Sequence, residues 1–425
     1  MTTIETVSVP PPRRTANDLR IGLLRQPGTV LFGPGQRRQI PRLAAEIADR
    51  VLMVTDARMA TSPEFTEIVD GLVAQGVSVS TYSGTEPDLP RRNVIDIVDR
   101  FAGAGVDAIV GIGGGSCMDL AKVASVVLAN GGDVRDYYGE FVVPAPGCPV
   151  ITMPTTGGTG AEVTCISVIF DEDKGMKVGV ASPHLEAYCA VIDPELTLTC
   201  PPGLTAAAGA DALSHLIESF TGRAKNPSAD DIAATLYAGK NLLADTYART
   251  GLGLLNTSLP AVAANPGDLH ARSDTLFGAY CAGMAINTAG TAGAHAIQSP
   301  IGNLTHTPHG FGISALLPYV MRYNLPTRVP EFAEIGRILG VAGADEPEQT
   351  QAQHAIERIE AILQTLGAPL DLRTLGLQPA DFGFVAEQAM LATRLTANNP
   401  RELTRDAVAA ILERGYAGDR SWWRL

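Results

Sequence analysis

The first half of the chain alternates between short apolar runs and helical patterns, and this alternation constrains the fold more than any other feature. The apolar runs lie at 29–32, 51–56, 77–82, 108–111 and 149–154, and the helical patterns lie at 40–51, 65–76, 94–104 and 119–127. Strands that alternate with helices form βαβ units with parallel strands. We therefore expect an α/β domain with a Rossmann-like parallel sheet.

The character of the sequence changes near Pro201 and Pro202. Beyond this point the chain is rich in Ala and has helical periodicity, which predicts helices over 211–220, 232–245, 269–286, 349–366 and 406–414. A length of 425 residues also exceeds that of one ordinary core. We expect a flexible tail at 1–20, an α/β domain at 21–200 and an all-α domain at 201–425.

Charge and composition exclude several classes of partner. Lys and Arg number 32 against 45 Asp and Glu, a net charge of -13, whereas nucleic acids and anionic membranes attract basic proteins. No apolar run has transmembrane length, and the six cysteines show no CxxC pair. We expect a cytoplasmic protein with reduced cysteines in its core, and neither nucleic acid nor membrane as a partner.

A glycine-rich loop follows the fourth apolar run. Gly113, Gly114, Gly115 and Ser116 stand between a predicted strand and a predicted helix, where a backbone without side chains allows close approach of a pyrophosphate. Ser116 occupies the place of the third glycine in the full dinucleotide fingerprint. The alternative is a tight turn with no ligand.

A second loop of this kind, PTTGGTGAE, follows the run at 149–154. The hydroxyls of Thr155, Thr156 and Thr159 suit the ribose and nicotinamide of a dinucleotide, although they are equally suited to capping a helix. Asp56 ends the second strand, where it could accept hydrogen bonds from the adenosine ribose or cap a helix. Two such loops after parallel strands indicate one ligand site at the carboxyl edge of the sheet.

The stretch AHAIQSPIGNLTHTPHG contains three of the seven histidines, namely His295, His306 and His309. Its Pro and Gly residues forbid one continuous helix, so the segment must turn back on itself. Asp211 and His215 are four residues apart and share one face of a predicted helix. Alone, that pair is explained by a hydrogen bond or by a capped helix start. Together with His295 and His309 it forms a mixed N/O site for Fe(II) or Zn(II).

The remaining histidines have less defined roles. His184, His270 and His354 are isolated in sequence and are most simply surface or core residues. His306 could be an alternative ligand, a proton relay or a loop residue.

Several segments together resemble the iron-containing (group III) alcohol dehydrogenases, and the similarity extends from about residue 25 to the C-terminus. The segments are GGGSCMDLAK, PTTGGTGAE, GADALSHLIESF, AGMAINTAGTAGAHAI, PHGFGISALLPYVMRYN and NNPRELT. The resemblance implies a dehydroquinate synthase-like fold, with a dinucleotide-binding domain at 21–200 and a helical metal-binding domain at 201–425. It also implies a homodimer or a larger homo-oligomer.

The resemblance also implies particular roles. It places Asp211, His215, His295 and His309 at the metal-ligand positions, usually occupied by iron. It places the glycine loop at the pyrophosphate, Asp119 beside the nicotinamide, Lys177 against the cofactor, and Asp56 where an acid favours NAD over NADP. The implied reaction is hydride transfer between NAD(H) and a small alcohol or aldehyde, with the metal as Lewis acid.

One position departs from the family pattern. Many members carry a histidine four residues after the third metal ligand, assigned to proton transfer, and this chain has Ser299 there. Serine passes protons only as one link in a hydrogen-bonded chain, because it has no pKa near neutrality. Either water, ribose hydroxyls and Ser299 form the relay, or His306 has replaced the missing histidine, which is our hypothesis.

Three alternatives to an alcohol dehydrogenase remain at this point. The first is a hydroxyacid-oxoacid transhydrogenase of the same fold, which retains its cofactor. The second is a non-redox synthase of the dehydroquinate synthase type, which uses NAD only transiently. The third is a metal-binding scaffold without catalysis, which the two glycine-rich loops disfavour.

Overall fold

The computed structural model describes residues 20–423, so that nearly all of the expected tail at 1–20 lies outside the described residues. The strands are β1 (Thr29–Phe32), β2 (Arg50–Val54), β3 (Ser78–Tyr82), β4 (Ala108–Gly113), β5 (Gly139–Glu140), β6 (Val150–Pro154), β7 (Ile166–Asp171), β8 (Met176–Ala181) and β9 (Cys189–Ile192). The helices of the first half are α1 (Ile40–Ala45), α2 (Pro63–Ala74), α3 (Arg91–Phe101) and α4 (Gly115–Asn130).

Six of the strands form a parallel sheet in the order β1-β9-β6-β4-β2-β3. Alternate side chains of β2 enter different cores, because Leu52 faces a cluster with α3 and α4 whereas Met53 faces a cluster with α1 and α2. Both faces of the sheet are therefore covered by helices, as is usual for parallel sheets. The predicted Rossmann-like domain is confirmed.

The strand order reverses between β2 and β4. The chain runs from β2 to its neighbour β3 and then crosses to β4 on the opposite side of β2. Thr55 Oγ1, just beyond β2, donates a 2.8 Å hydrogen bond to the carbonyl of Ile112 in β4, which fixes the two strand ends together. Such a reversal leaves a crevice at the carboxyl ends of the strands, where ligands bind.

A small second sheet, which the sequence patterns did not predict, has the order β5-β8-β7. Its β7 and β8 are antiparallel, and the hairpin is fastened to α4 through Asp119. Ser167 Oγ donates to the Asp119 carbonyl at 2.9 Å, and the Val168 N–H donates to Asp119 Oδ2 at 3.0 Å. Residues of this hairpin line the cavity that lies at the carboxyl edge of the main sheet.

The second half is helical. Its helices are α5 (Pro202–Thr221), α6 (Leu242–Ala264), α7 (Leu269–Ala289), α8 (Gly293–Thr305), α9 (His309–Asn324), α10 (Val329–Ile338), α11 (Glu348–Thr365), α12 (Phe382–Leu391), α13 (Thr393–Asn398) and α14 (Arg405–Ala417). One apolar cluster joins them, with members such as Leu216, Leu255, Ile313 and Ile359 almost completely buried. The predicted change to an all-α architecture near residue 200 is confirmed.

One predicted helix is wrong. Residues 232–241 contain only a short 3-10 turn at Ile232–Ala234, and the following helix begins at Leu242. Asn241 determines that start, because its side-chain oxygen accepts hydrogen bonds from the N–H groups of Leu243 and Ala244. Gly239, at φ +72°, is left-handed and interrupts any earlier helix.

Two further expectations from composition concern the cysteines and membrane spanning. Five of the six cysteines are buried and Cys148 is partly buried, all as free thiols. Within residues 20–423, none of the helices combines the length and the apolar composition needed to cross a membrane.

Candidate metal and cofactor site

A cavity of about 820 Å³ lies between the carboxyl edge of the main sheet and the helical half. Of the sixteen residues predicted for the site, fourteen line this cavity. They are Asp56, Gly114, Gly115, Ser116, Asp119, Thr155, Thr156, Thr159, Lys177, Asp211, His215, His295, Ser299 and His309. Gly113 lies directly behind its glycine neighbours, and His306 lies elsewhere.

The predicted metal ligands converge on one point. The Nε2 atoms of His215 and His295 lie 3.5 Å from Asp211 Oδ1, and Nε2 of His309 lies 3.3 Å from the same oxygen. The Nε2 atoms of His215 and His295 are 3.0 Å apart. Three imidazole nitrogens thus surround one carboxylate oxygen, and the ligand atoms of Asp211, His295 and His309 all lie within 4.8 Å of one another.

Local structure explains this convergence. Asp211 and His215 lie one turn apart on the buried face of α5. His295 lies in the first turn of α8, and His309 is the first residue of α9. The chain turns back between these helices at 306–308, where His306 adopts the left-handed conformation at φ +52°. The predicted reversal within this segment is confirmed, with Pro300 accommodated inside α8.

Glu218 is a site residue that the sequence analysis missed. Its carboxylate accepts hydrogen bonds from the N–H groups of Ala292 and Ala294 at 2.8 and 2.6 Å, and lies 2.6 Å from His295 Nδ1. With Nδ1 as the donor, Nε2 of His295 is unprotonated in a metal complex and is directed at the centre. The available signal was spacing, because residues 211, 215 and 218 follow one helical face.

The electrostatics of the cluster favour a bound cation. Burial lowers the pKa of His215 to about 4 and also lowers the pKa of His309. Burial opposes charge on His295 as well, but Glu218 and Asp211 raise its pKa to about 9. Burial would raise the pKa of Asp211, yet the neighbouring imidazoles hold it well below its usual range. Without a metal, the cluster therefore carries a proton on His295 that a cation would displace.

The donor set fits a divalent transition metal. Asp211 Oδ1 is buried and receives no hydrogen bond from any described residue, although three imidazoles surround it. An unpartnered buried carboxylate oxygen is costly unless a cation or a proton satisfies it. One oxygen and three nitrogen donors suit a borderline ion such as Fe(II) or Zn(II). These residues could hold such an ion.

The first glycine loop fits a pyrophosphate. Gly114 is the N-cap of α4, and no described side chain caps that helix, so its first N–H groups and its dipole face the cavity. A Cβ at Gly115 would lie 2.8 Å from Thr159 Cγ2, and one at Gly113 would lie 2.5 Å from Cys117 Sγ. Gly113 also has φ +149°. Side chains at these positions would collide with their neighbours, which explains the glycines.

Buried Lys122 joins the first loop to the second. Its Nζ donates hydrogen bonds to the carbonyls of Ala161 and Thr164 at 2.9 and 3.1 Å, and lies 2.9 Å from Asp119 Oδ1. Its side chain is fully buried. Lys122 therefore fixes the end of the threonine loop against α4. Lys122 is the last residue of the segment GGGSCMDLAK, and no role was predicted for it.

Asp56 and Lys177 have internal partners as well as positions at the cavity. Asp56 Oδ1 accepts a 2.8 Å hydrogen bond from the N–H of Met59, the first residue of the 3-10 turn at Met59–Thr61. Asp56 also lines the cavity at the β2 end, as a ribose acceptor must. Lys177 Nζ lies 2.6 Å from Asp88 Oδ1 on the opposite wall.

The two candidates for proton transfer lie in different places. Ser299 is one turn beyond His295 on α8 and lines the cavity. His306 is exposed, is absent from the cavity lining and belongs to the turn that ends α8. The hypothesis that His306 replaces the missing relay histidine therefore needs correction, because its left-handed backbone holds it outside the cavity.

Two family models together match most of this chain. Residues 27–194 match the family model for iron-containing alcohol dehydrogenase, and residues 205–416 match that for the C-terminal region of the Fe-containing alcohol dehydrogenase family. An NAD-dependent methanol dehydrogenase from Bacillus methanolicus is 31% identical over 388 residues, which cover 91% of this chain and 98% of the relative.

Two further proteins are similar over most of their length. A long-chain-alcohol dehydrogenase from Geobacillus thermodenitrificans is 32% identical, covering 89% of this chain and 92% of the relative. The crystal structure of a 1,3-propanediol oxidoreductase superposes with a TM-score of 0.87 at 28% identity, covering 93% of this chain and 100% of that one.

Proposed function

Since this chain belongs to the iron-containing alcohol dehydrogenase family, we propose that it transfers hydride between NAD(H) and a small alcohol or aldehyde, at a divalent metal held by Asp211, His215, His295 and His309. The chain is an alcohol oxidoreductase of a metal-dependent, NAD-using family. The residues that hold metal, cofactor and substrate are our proposal.

A single observation supports the assignment of the site. Buried Asp211 Oδ1 lies within 3.5 Å of the Nε2 atoms of three histidines, in the same cavity as two glycine-rich loops that follow parallel strands. A scaffold protein has no need of both features in one cavity, whereas a dehydrogenase must bring its metal and its dinucleotide to the same substrate.

The protein's own groups have distinct tasks in this proposal. When bound, a divalent ion supplies Lewis acidity to the substrate oxygen, and the nicotinamide supplies the hydride acceptor or donor. Gly114, Gly115 and Ser116 bind the pyrophosphate through backbone N–H groups. Glu218 keeps Nε2 of His295 directed at the centre, and Asp119 holds the β7–β8 hairpin against α4.

Ser299 is our proposed link for proton transfer. It follows His295 by one helical turn and lines the cavity, so its Oγ can receive a proton from the substrate hydroxyl through water and pass it outward. The low pKa of His215 and His309 makes those residues ligands rather than proton acceptors at neutral pH.

We extend the proposal to the identity of the cofactor and the metal. Asp56 supports NAD rather than NADP, because a carboxylate at the end of β2 repels a 2'-phosphate. The family supports Fe(II), with Zn(II) as the second choice for the same donor set. We also propose a homodimer or larger homo-oligomer, and we divide the chain into a cofactor domain at 21–200 and a metal domain at 201–425.

The test is a coupled measurement of metal content and NADH formation. The purified protein is loaded separately with Fe(II) and Zn(II), and alcohols are supplied with NAD⁺ or NADP⁺. We expect stoichiometric NADH release with at least one alcohol and no release after removal of the metal. Cofactor that stays bound without net reduction would instead support the transhydrogenase or synthase alternatives.

A further inference from the structure

Arg394 is a cation that the proposed reaction does not use. It lies on α13, in the wall of the cavity that contains the metal cluster, and its side chain is 33% exposed. The pyrophosphate loop lies on α4, so Arg394 belongs to a different element from the proposed cofactor site. A positive charge is thus present in the helical wall, where the substrate must lie.

The guanidinium of Arg394 has few partners. It lies over the ring of buried Tyr237, 4.6 Å from the ring centroid, and its Nε is 3.5 Å from Glu140 Oε1. No described residue accepts a hydrogen bond from it at normal geometry. The aromatic face therefore orients the guanidinium and leaves its N–H groups available for hydrogen bonds.

The charges around Tyr237 are unbalanced. Lys225 Nζ lies 5.9 Å from the centroid of the same ring, so that two cations face the single carboxylate of Glu140. The nearest acid on α4, Asp119, is already paired with Lys122 at 2.9 Å. The chain has a net charge of -13, so the local excess of positive charge at this cavity wall contrasts with the overall negative charge.

A short path connects Arg394 to the metal cluster. A Cβ placed on Gly290 would lie 3.5 Å from Nη1 of Arg394, so the guanidinium lies beside the loop that follows α7. The N–H groups of Ala292 and Ala294 in this connection bind Glu218, which in turn contacts His295. The guanidinium of Arg394 therefore lies beside Gly290, at one end of a short segment whose other end carries His295.

We propose that Arg394 binds the anionic end of the substrate, and that the natural substrates are hydroxy acids or the corresponding aldehyde acids. This inference rests on the proposed function. A carboxylate can accept two parallel hydrogen bonds from a guanidinium, which fixes its position and orientation. A metal held by Asp211, His215, His295 and His309 would supply Lewis acidity to the reacting oxygen at the other end of the molecule. A neutral alcohol offers the Arg394 guanidinium no charged acceptor.

The experiment compares substrates that differ only in their distal group. The metal-loaded enzyme is assayed with butan-1-ol against 4-hydroxybutanoate, and with pentan-1-ol against 5-hydroxypentanoate. The measured quantity is the ratio of kcat/KM for acid and alcohol, in the wild type, Arg394→Gln and Arg394→Lys. Arg373→Gln is the matched control, because Arg373 is exposed and lies over Tyr416 outside the cavity.

We expect the wild type to favour the acid of at least one pair, and Arg394→Gln to lower the acid-to-alcohol ratio by about 10- to 100-fold. Arg394→Lys should recover part of this preference because it restores the charge without the bidentate geometry. Arg373→Gln should keep the wild-type ratio.

A wild type that prefers the neutral alcohol of every pair, or an unchanged ratio in Arg394→Gln, would overturn the inference. Turnover of the neutral alcohols with NAD⁺ reports separately on the proposed function. If no alcohol and no hydroxy acid reduces NAD⁺ in the metal-loaded enzyme, the proposed function itself fails.

Discussion

Nδ1 of His295 lies 2.6 Å from Oε2 of Glu218, in a partly buried contact that joins a proposed metal ligand on α8 to α5. The same carboxylate accepts hydrogen bonds from two N–H groups at the start of α8. Glu218 therefore fixes both the tautomer of the imidazole and the position of the helix that carries it.

This relationship predicts that Glu218→Gln weakens metal binding. The amide keeps the shape of the side chain but loses the charge that orients and polarises His295, so we expect metal affinity to fall by about 10- to 100-fold. Chelator competition measures the affinity. Glu334→Gln is the control, since Glu334 pairs with Arg249 elsewhere in the helical half. Equal affinities in the two variants would contradict the role of Glu218.

Lys122 offers a prediction about the cofactor. Lys122→Met removes the buried ammonium that holds the Ala161 and Thr164 carbonyls and pairs with Asp119. We expect the Kd for NAD⁺ to rise by at least about 10-fold, because the two cofactor loops lose their common anchor. Calorimetry gives the Kd, and elemental analysis should show unchanged metal content. A variant that loses metal and NAD⁺ equally would indicate general unfolding instead.

The raised pKa of buried Glu162 predicts that the stability of the protein depends on pH. Burial raises the pKa of this carboxyl from 4.5 to about 7, and its Oε1 has no hydrogen-bond partner among the described residues. The folded state therefore binds a proton that the unfolded state releases between these values. The group's contribution to stability is complete below about pH 4.5 and is lost as the pH rises through 7.

The size of this contribution is on the order of 3 kcal/mol. The glutamine side chain of Glu162→Gln is uncharged at every pH, so this variant lacks the pH-dependent contribution of Glu162 to stability. We expect the free energy of unfolding of the variant, relative to the wild type, to increase as the pH rises from about 5 to about 8. Urea titrations at both pH values measure the difference. A relative stability that stays constant or decreases over this range would show that Glu162 is ionised in the folded protein.

Ser299 and His306 provide a matched pair for proton transfer. Ser299 lines the cavity, so Ser299→Ala should lower kcat by about 3- to 10-fold and alter its pH profile. His306 is exposed outside the cavity, so His306→Ala should leave kcat within about 2-fold of the wild type. Stopped-flow measurement of NADH formation separates chemistry from product release. The reverse pattern would restore His306 as the relay.

Much of the fold was predictable because its signals are local. The strands before Asp56 and Gly113 are short apolar runs that end in small or polar residues, and both were found near their observed positions. The β7–β8 hairpin was missed although its strands contain apolar residues, and its position in the fold depends on contact with Asp119 on α4. The false helix at 232–245 shows that capping by Asn241 overrides periodicity.

Some residues of the proposed site could be predicted from the sequence, and others could not. Asp211, His215, His295 and His309 were recognisable by residue type and spacing, together with the family resemblance. Glu218, Lys122 and Arg394 contact residues far away in sequence, and apart from the helical spacing of Glu218 nothing in their local pattern separates them from other charged residues on helices. Only the folded arrangement shows what they contact.

The central claim is that one buried carboxylate and three histidines hold the metal on which NAD-linked alcohol oxidation depends. The most direct test measures bound metal and NADH formation together in the wild type, Asp211→Ala and His295→Ala, with exposed His184→Ala as control. We predict about one metal ion per wild-type and control chain, and loss of both metal and nearly all turnover in the other two variants. An Asp211→Ala or His295→Ala enzyme that oxidises alcohol without bound metal would contradict the account.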